Sequence, residues 1–155
     1  MSGAAPAYRP SHLGLCVSNL DASRRFYCEG LGFSPAEGFE LTSADLEGLG
    51  ASLEVDGPVS LTSQFVTLGE LKIELLAFRE PAVGGRASER RNHRGLTHLS
   101  FYVDDVDAAA RRLTQFGATV LEETRSNLGI EVVFLADPDG VRVELMAIPA
   151  PAESG

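Results

Sequence analysis

The chain has 155 residues, enough for one domain or for two small modules sharing a core, and its 44% hydrophobic and 23% charged content describe an ordinary globular protein. With 22 acidic against 13 basic residues and a formal net charge of -9, it is a poor match for a nucleic-acid backbone or an anionic lipid surface, both of which reward positive charge. No apolar run reaches the roughly 18 residues of a transmembrane helix, and MSGAAPAYRP lacks the basic start and apolar core of a secretory signal, so a cytoplasmic chain with neither nucleic acid nor membrane as partner is expected.

The two ends, MSGAAPAYRP and PAPAESG, read as short tails. The first element is an apolar strand beginning at His12, followed by a polar turn and a helix of about ten residues. Leu20, Tyr27 and Leu31 take the buried face of that helix and Phe26 lies to one side of it. Asp21 is expected to cap the helix and Gly32 to end it. Residues 34–61 follow as a lid or pocket wall, with Phe39, Leu41, Leu46 and Leu49 among polar turn residues and a strand over Ala51 to Val55. FVTLGELKIELLAF, at 65–78, reads as a hairpin turning at Leu68 to Glu70. The stretch REPAVGGRASERRNHRG has no periodicity and reads as a linker arm. Its arginines, Arg79, Arg86, Arg90, Arg91 and Arg94, are a solvated face or a grip for an anionic substrate, and His93 is a surface residue. Cys16 and Cys28, in a predicted strand and helix rather than a CxxC pair, read as free thiols.

The second half repeats the first. HLGLCVSNLDASRRFYCEGLGF at 12–33 aligns with HLSFYVDDVDAAARRLTQFGA at 98–118 when one residue is dropped near the end of the second copy. His12 then falls on His98, Val17 on Val103, Asp21 on Asp107, Arg25 on Arg111 and, after the gap, Gly32 on Gly117. Val106, just ahead of the second helix, is followed by Ala110, Leu113 and Phe116 along one buried face, Arg112 and Gln115 point outward, Asp107 caps and Gly117 terminates. A strand fits Thr119 to Glu122, and FLADPDGVRVELMAI forms a hairpin turning at Asp137 to Gly140. Each copy reduces to a strand, a helix and two or three strands, an α+β unit. The expected organisation is a first module at 8–78, a linker arm at 79–95 and a second module at 96–150.

The repeat singles out four polar residues in predicted strands: His12 and Glu74, His98 and Glu144. A carboxylate in an apolar strand is costly unless paired or bound to a cation. Glu74 lies between Ile73 and Leu75, and Glu144 between Val143 and Leu145, so each faces the side opposite its neighbours. If the helices cover those neighbours, the four can converge on the concave side of a curved sheet. There they suit a divalent ion: zinc, nickel, cobalt, manganese or iron. The other possibility is two internal ion pairs or outward-facing strand residues.

HLGLCVSNLDASRRFYCEGLGF, KIELLAF, GLTHLSFYVDDVDAAARRL and DPDGVRVELM together resemble the vicinal oxygen chelate superfamily, the group of glyoxalase I, methylmalonyl-CoA epimerase and extradiol dioxygenase. The resemblance covers 12 to about 148. It implies paired βαβββ modules forming a curved mixed sheet around a metal, a homodimer, a small-molecule substrate and the ligand set His12, Glu74, His98 and Glu144. The His, Glu, His, Glu set is similar to glyoxalase I, while the surrounding text is nearer to the epimerases, which commonly carry glutamine at the position of Glu74. Either branch implies an isomerase, epimerase or lyase that abstracts a proton beside a metal-bound carbonyl, with Glu144 as base and Glu74 as the alternative. An iron-dependent dioxygenase using His12, His98 and Glu144, or an antibiotic-binding protein without catalysis, are the other classes the resemblance allows. Phe39 and Leu46 in the first module, with Asn127 in the second, are the expected substrate contacts.

Overall fold

The computed structural model describes residues 3–127 and 129–147; the predicted close of the second module at 148–150 and the tail beyond lie outside the described residues. The first four-stranded sheet comprises β1 (Leu13–Cys16), β2 (Ser34–Thr42), β3 (Ser60–Leu68) and β4 (Leu71–Glu80), in the order β1-β4-β3-β2. The second comprises β5 (Leu99–Tyr102), β6 (Thr119–Asn127), β7 (Glu131–Ala136) and β8 (Arg142–Ala147), in the matching order β5-β8-β7-β6. In each sheet the first strand runs parallel to the last and the other pairings are antiparallel. These are the paired βαβββ modules that the resemblance implied, each built on a mixed sheet.

The helices show where the sequence repeat gains its extra residue. In the second module α3 (Val106–Thr114) is a regular α-helix that buries Val106, Ala110 and Leu113. In the first, α1 (Leu20–Arg24) continues into a π-helical segment, Arg25–Gly30. That wider turn absorbs the one residue by which the first copy is longer. It also turns two consecutive aromatics inward: Phe26 is fully buried beside Tyr27 rather than to one side of the apolar face. Gly32 and Gly117 follow the helices at φ 88° and 94°, the left-handed conformation of a helix terminus.

The caps are Asn19 and Asp105, whose side chains accept from the backbone N–H of Ala22 and Ala108 at 3.0 and 2.9 Å, not Asp21 and Asp107. The buried first-turn residue Val106 and its equivalent Leu20 already belong to the helices, so each cap must precede them. The strand expected at Ala51 to Val55 is absent: α2 (Leu49–Ser52) starts there, and a Cβ on Gly50 would lie 2.9 Å from the Val55 carbonyl oxygen. The strand of this region is β2, an edge strand whose register shifts between Pro35 and Gly38.

One continuous core joins the modules. Ile73 and Leu75 from β4, Val143 and Leu145 from β8, Phe26 and Tyr27, and Val106 and Leu113 from α3 belong to a single buried cluster. The helices meet closely within it, since a Cβ on Gly30 would stand 3.1 Å from Leu113 and 3.3 Å from Phe116. Tyr27 donates to Asp137 at 2.7 Å, and Ser18 donates to Asp139 from its backbone N–H and its hydroxyl, so the turn between β7 and β8 is bonded to the first module. None of the described helices is long and apolar enough to cross a membrane.

Candidate functional site

The strand alternation that puts Ile73, Leu75, Val143 and Leu145 into the shared core turns Glu74 and Glu144 away from it. Each glutamate meets the histidine that precedes the first strand of its own module. His12 Nε2 lies 3.0 Å from Glu74 Oε2, and His98 Nε2 lies 3.3 Å from Glu144 Oε2. The pairs are equally sheltered, with side-chain exposures of 34% and 18% in the first and 31% and 16% in the second. Each imidazole also stands edge-on to a phenylalanine directly opposite its glutamate in the sheet: Phe65 at 5.1 Å and Phe134 at 5.2 Å between ring centroids.

Hydroxyl groups complete both pairs. Ser11 Oγ lies 2.8 Å from His12 Nδ1 and Thr97 Oγ1 lies 2.9 Å from His98 Nδ1. A hydroxyl both donates and accepts, so it supports the tautomer with a proton on Nε2 facing the glutamate and the tautomer with Nε2 free to bind a cation. Ser63 donates to Glu74 Oε1 at 2.6 Å, and Ser100 donates to Glu144 Oε2 at 2.7 Å. The pairs differ here. Both oxygens of Glu74 are engaged, whereas Ser100 and His98 share one oxygen of Glu144 and Oε1 has no hydrogen-bond partner among the described residues.

The four residues expected to converge are thus brought together in twos, on separate sheets. Among the described residues no three His, Cys, Asp or Glu side chains are close enough to hold an ion. Nitrogen and oxygen donors with hydroxyl-bound imidazoles are chemically suited to a divalent ion. Each module offers one imidazole and one carboxylate.

Of the expected substrate contacts, Phe39 stands half exposed on the same face as Glu74, edge-on to Phe65 at 6.4 Å. Leu46 is exposed in the turn after β2, and Asn127 is exposed at the end of β6. The linker arginines divide. Arg79 is bound to Glu40 at 2.6 Å and Arg86 to Glu89 at 3.5 Å, both at the surface. Arg91 is half buried and so departs from the solvated-face alternative. It lines a cavity of about 400 Å³ together with Phe134 and Arg142. Arg142 stands two residues before Glu144 and is not among the residues that the sequence singles out. Its signal was the repeat itself, which aligns it with Lys72, two residues before Glu74.

Relatives match this architecture over most of its length. The 2-epi-5-epi-valiolone epimerase of Actinomyces sp is 30% identical over 148 residues, covering 91% of this chain and 80% of its own. The uncharacterized protein YaeR of Escherichia coli (strain K12) is 29% identical over 136 residues, covering 86% of this chain and 92% of its own. The crystal structure of a glyoxalase family protein from Bacillus cereus superposes with a TM-score of 0.78 at 20% identity, over 97% of this chain and 99% of that one. Residues 9–145 match the family model of the Glyoxalase/Bleomycin resistance protein/Dioxygenase superfamily. That match begins ahead of β1 and ends inside β8, so it takes in both modules, and the chain belongs to the glyoxalase/bleomycin resistance protein/dioxygenase superfamily.

Proposed function

We propose that this protein is a metal-dependent isomerase or epimerase that moves a proton beside a substrate carbonyl, and that its working site is assembled from two copies of the chain. The observation that carries this reading is the pair of equivalent half-sites, His12 with Glu74 and His98 with Glu144, on sheet faces turned away from the common core. β1 and β5 are edge strands of their sheets, and each directly follows its histidine. An unpaired edge is a surface for pairing with another chain. Joining β1 of one copy to the β5 edge of another would complete the four-ligand set from His12 and Glu74 of one protomer and His98 and Glu144 of the partner subunit. Two-fold symmetry then gives two identical sites per dimer.

A divalent ion held there would act as a Lewis acid on the substrate oxygen. The chain's own residues do the rest. Ser11 and Thr97 fix the imidazole orientation, Ser63 ties down Glu74, and Phe65 and Phe134 give the site apolar walls. Glu144 carries the proton, a role supported by its unoccupied Oε1. Return of the proton to the opposite face of the same carbon is epimerisation, and return to the neighbouring carbon is isomerisation. The 30% identity to an epimerase favours the former. The contact of Glu74 with His12 weighs against a dioxygenase, in which Glu74 would have to turn away and vacate a coordination position.

Complementation between variants tests this reading. His12→Ala and His98→Ala chains each lack one ligand, and in a mixed dimer one of the two shared sites retains all four. Unfolding and refolding an equal mixture should restore about one quarter of the wild-type metal stoichiometry, because random pairing makes about half the dimers mixed, each with one intact site. Deuterium exchange should return with it, measured with 2-oxoaldehyde hemithioacetals, 2-methyl acyl-CoA thioesters and 2-epi-5-epi-valiolone. No recovery in the mixture, with each variant folded, would refute the shared site.

A further inference from the structure

The repeat supplies its own comparison for the cavity beside the second half-site. In the first module the cation two residues before the glutamate, Lys72, lies over the Phe65 ring at 4.5 Å and is neutralised by an ion pair with Glu37. Its equivalent in the second module is Arg142, and no carboxylate lies within ion-pair distance of Arg142 among the described residues. Arg142 shares its cavity with a second guanidinium, Arg91.

Two like charges sharing one cavity repel each other, and this occurs in a chain with nine more acids than bases. Arg91 uses Nη2 to donate to the Ser88 carbonyl at 2.6 Å, but its Nη1 is buried with no hydrogen-bond partner. Arg142 donates from Nη1 to the Gly140 carbonyl at 2.9 Å. Burial and the nearby Arg142 charge both hold the Arg91 guanidinium below its usual pKa. Donors of this kind are costly to leave unpaired. Glu89 and Glu123 also line the cavity, both exposed, and Glu89 is committed to Arg86.

The location ties the cavity to the chemistry. Phe134 and Leu121 are its apolar walls; the Arg91 guanidinium lies 6.0 Å from the Phe134 ring centroid, and His98 stands edge-on to the same ring. We infer that Arg91 and Arg142 form an oxyanion subsite, and that the substrate carries a carboxylate or phosphate group, held in this cavity while its carbonyl end lies at the His98–Glu144 half-site. Planar, multiply donating guanidinium groups suit either oxyanion. This assignment rests on the function proposed above and narrows it to acidic substrates.

The test is direct binding of malonate and of inorganic phosphate to the full-length protein after chelator treatment, followed through the arginine Nε–H resonances. Saturable binding is expected, and the anion bound more tightly identifies the group. Arg91→Gln and Arg142→Gln should each weaken it roughly tenfold or more. Arg142→Lys, which keeps the charge and loses the fork, should lie between Arg142→Gln and wild type. Arg111→Gln makes the same charge change on an exposed face of α3 and should leave binding unchanged. Absence of saturable binding by the wild type, or an equal loss in Arg111→Gln, overturns the subsite. Anion binding is read on metal-free wild-type protein and complementation on metal recovery in the mixed variants, so either can succeed while the other fails, and each proposal falls separately.

Discussion

Tyr27→Phe removes one oxygen from the buried joint between the modules and leaves the ring in place. Tyr27 is fully buried and Asp137 nearly so. Asp137 Oδ1 accepts from the backbone N–H groups of Asp139 and Val141, both at 2.8 Å, while Oδ2 accepts from the Tyr27 hydroxyl at 2.7 Å. The variant strips Oδ2 of that donor. A hydrogen bond to a buried charged acceptor is worth about 1.5–3 kcal/mol, so a loss of about 2 kcal/mol is expected near neutral pH. For a chain of this size that is a fall of about 4–8 °C in melting temperature. The pH dependence gives the test its edge. Burial holds the Asp137 carboxyl above the usual carboxylate range, although the bonds from Tyr27 and the backbone oppose the shift. A raised folded pKa means that this group's contribution to stability is fully present below the ordinary carboxylate pKa and is lost as pH rises through the folded value. Removing the Tyr27 donor destabilises the ionised form and raises the folded pKa further. The gap between wild type and variant should therefore be largest at neutral pH and shrink toward about 1 kcal/mol in acid, where the bond is to a neutral acid. Urea denaturation followed by far-UV circular dichroism at fixed protein concentration suits a chain with no tryptophan. A difference that does not change between neutral and acid pH would refute the assignment of Asp137 as a carboxylate stabilised by Tyr27.

Other perturbations probe the remaining links. Gly30→Val should cost about 1–3 kcal/mol by forcing apart the helices that meet at Leu113 and Phe116, and a melting temperature equal to wild type would show that the joint yields freely. Glu144→Gln should retain part of the metal and lose solvent-deuterium exchange by about 10² or more, whereas Glu74→Gln should be milder; the reverse order would exchange the roles of the two glutamates. Ser63→Ala should weaken metal binding more than Ser100→Ala, because Ser63 alone engages Glu74 Oε1 while Glu144 keeps a free oxygen either way. Equal metal affinities for the two serine variants would show that carboxylate orientation does not depend on them.

Much of the site was legible because its parts are local and repeated. His12 and His98 open equivalent strands, and Glu74 and Glu144 interrupt equivalent apolar runs, so the duplication marked all four. The helix faces followed from spacing, although a π-helical turn cannot be distinguished from an ordinary gap in a repeat until Phe26 is seen buried. β2 escaped because SPAEGFELT carries Pro and Gly, which argue against a strand except at an edge or a bulge, and here both apply. Asn19 and Asp105 escaped because acidic and amide residues crowd both turns, and only the bonds their side chains accept from the Ala22 and Ala108 backbone N–H groups fix where each helix begins. The separation of the four residues into two pairs was hidden for a different reason. It depends on how the modules pack, and that is decided by contacts between distant residues such as Gly30 with Leu113 and Tyr27 with Asp137, which leave no periodic trace. Arg91 was legible only as one of five linker arginines, because nothing in its sequence context sets it apart from the exposed ones.

The joint between the modules and the proposed site are linked through orientation rather than contact. Each His–Glu distance is set within one module, by the parallel pairing of β1 with β4 or of β5 with β8, so a loosened joint leaves both half-sites intact. Assembly of two shared sites makes a stronger demand. Both modules of one chain must meet both modules of another at once, and any freedom between them must be given up on pairing, at a cost that weakens association. The buried Tyr27–Asp137 bond, the Ser18–Asp139 bonds and the close helix approach at Gly30 remove that freedom during folding. A weakened joint should therefore lower dimer affinity, and shared-site metal binding with it, before it disturbs either His–Glu pair.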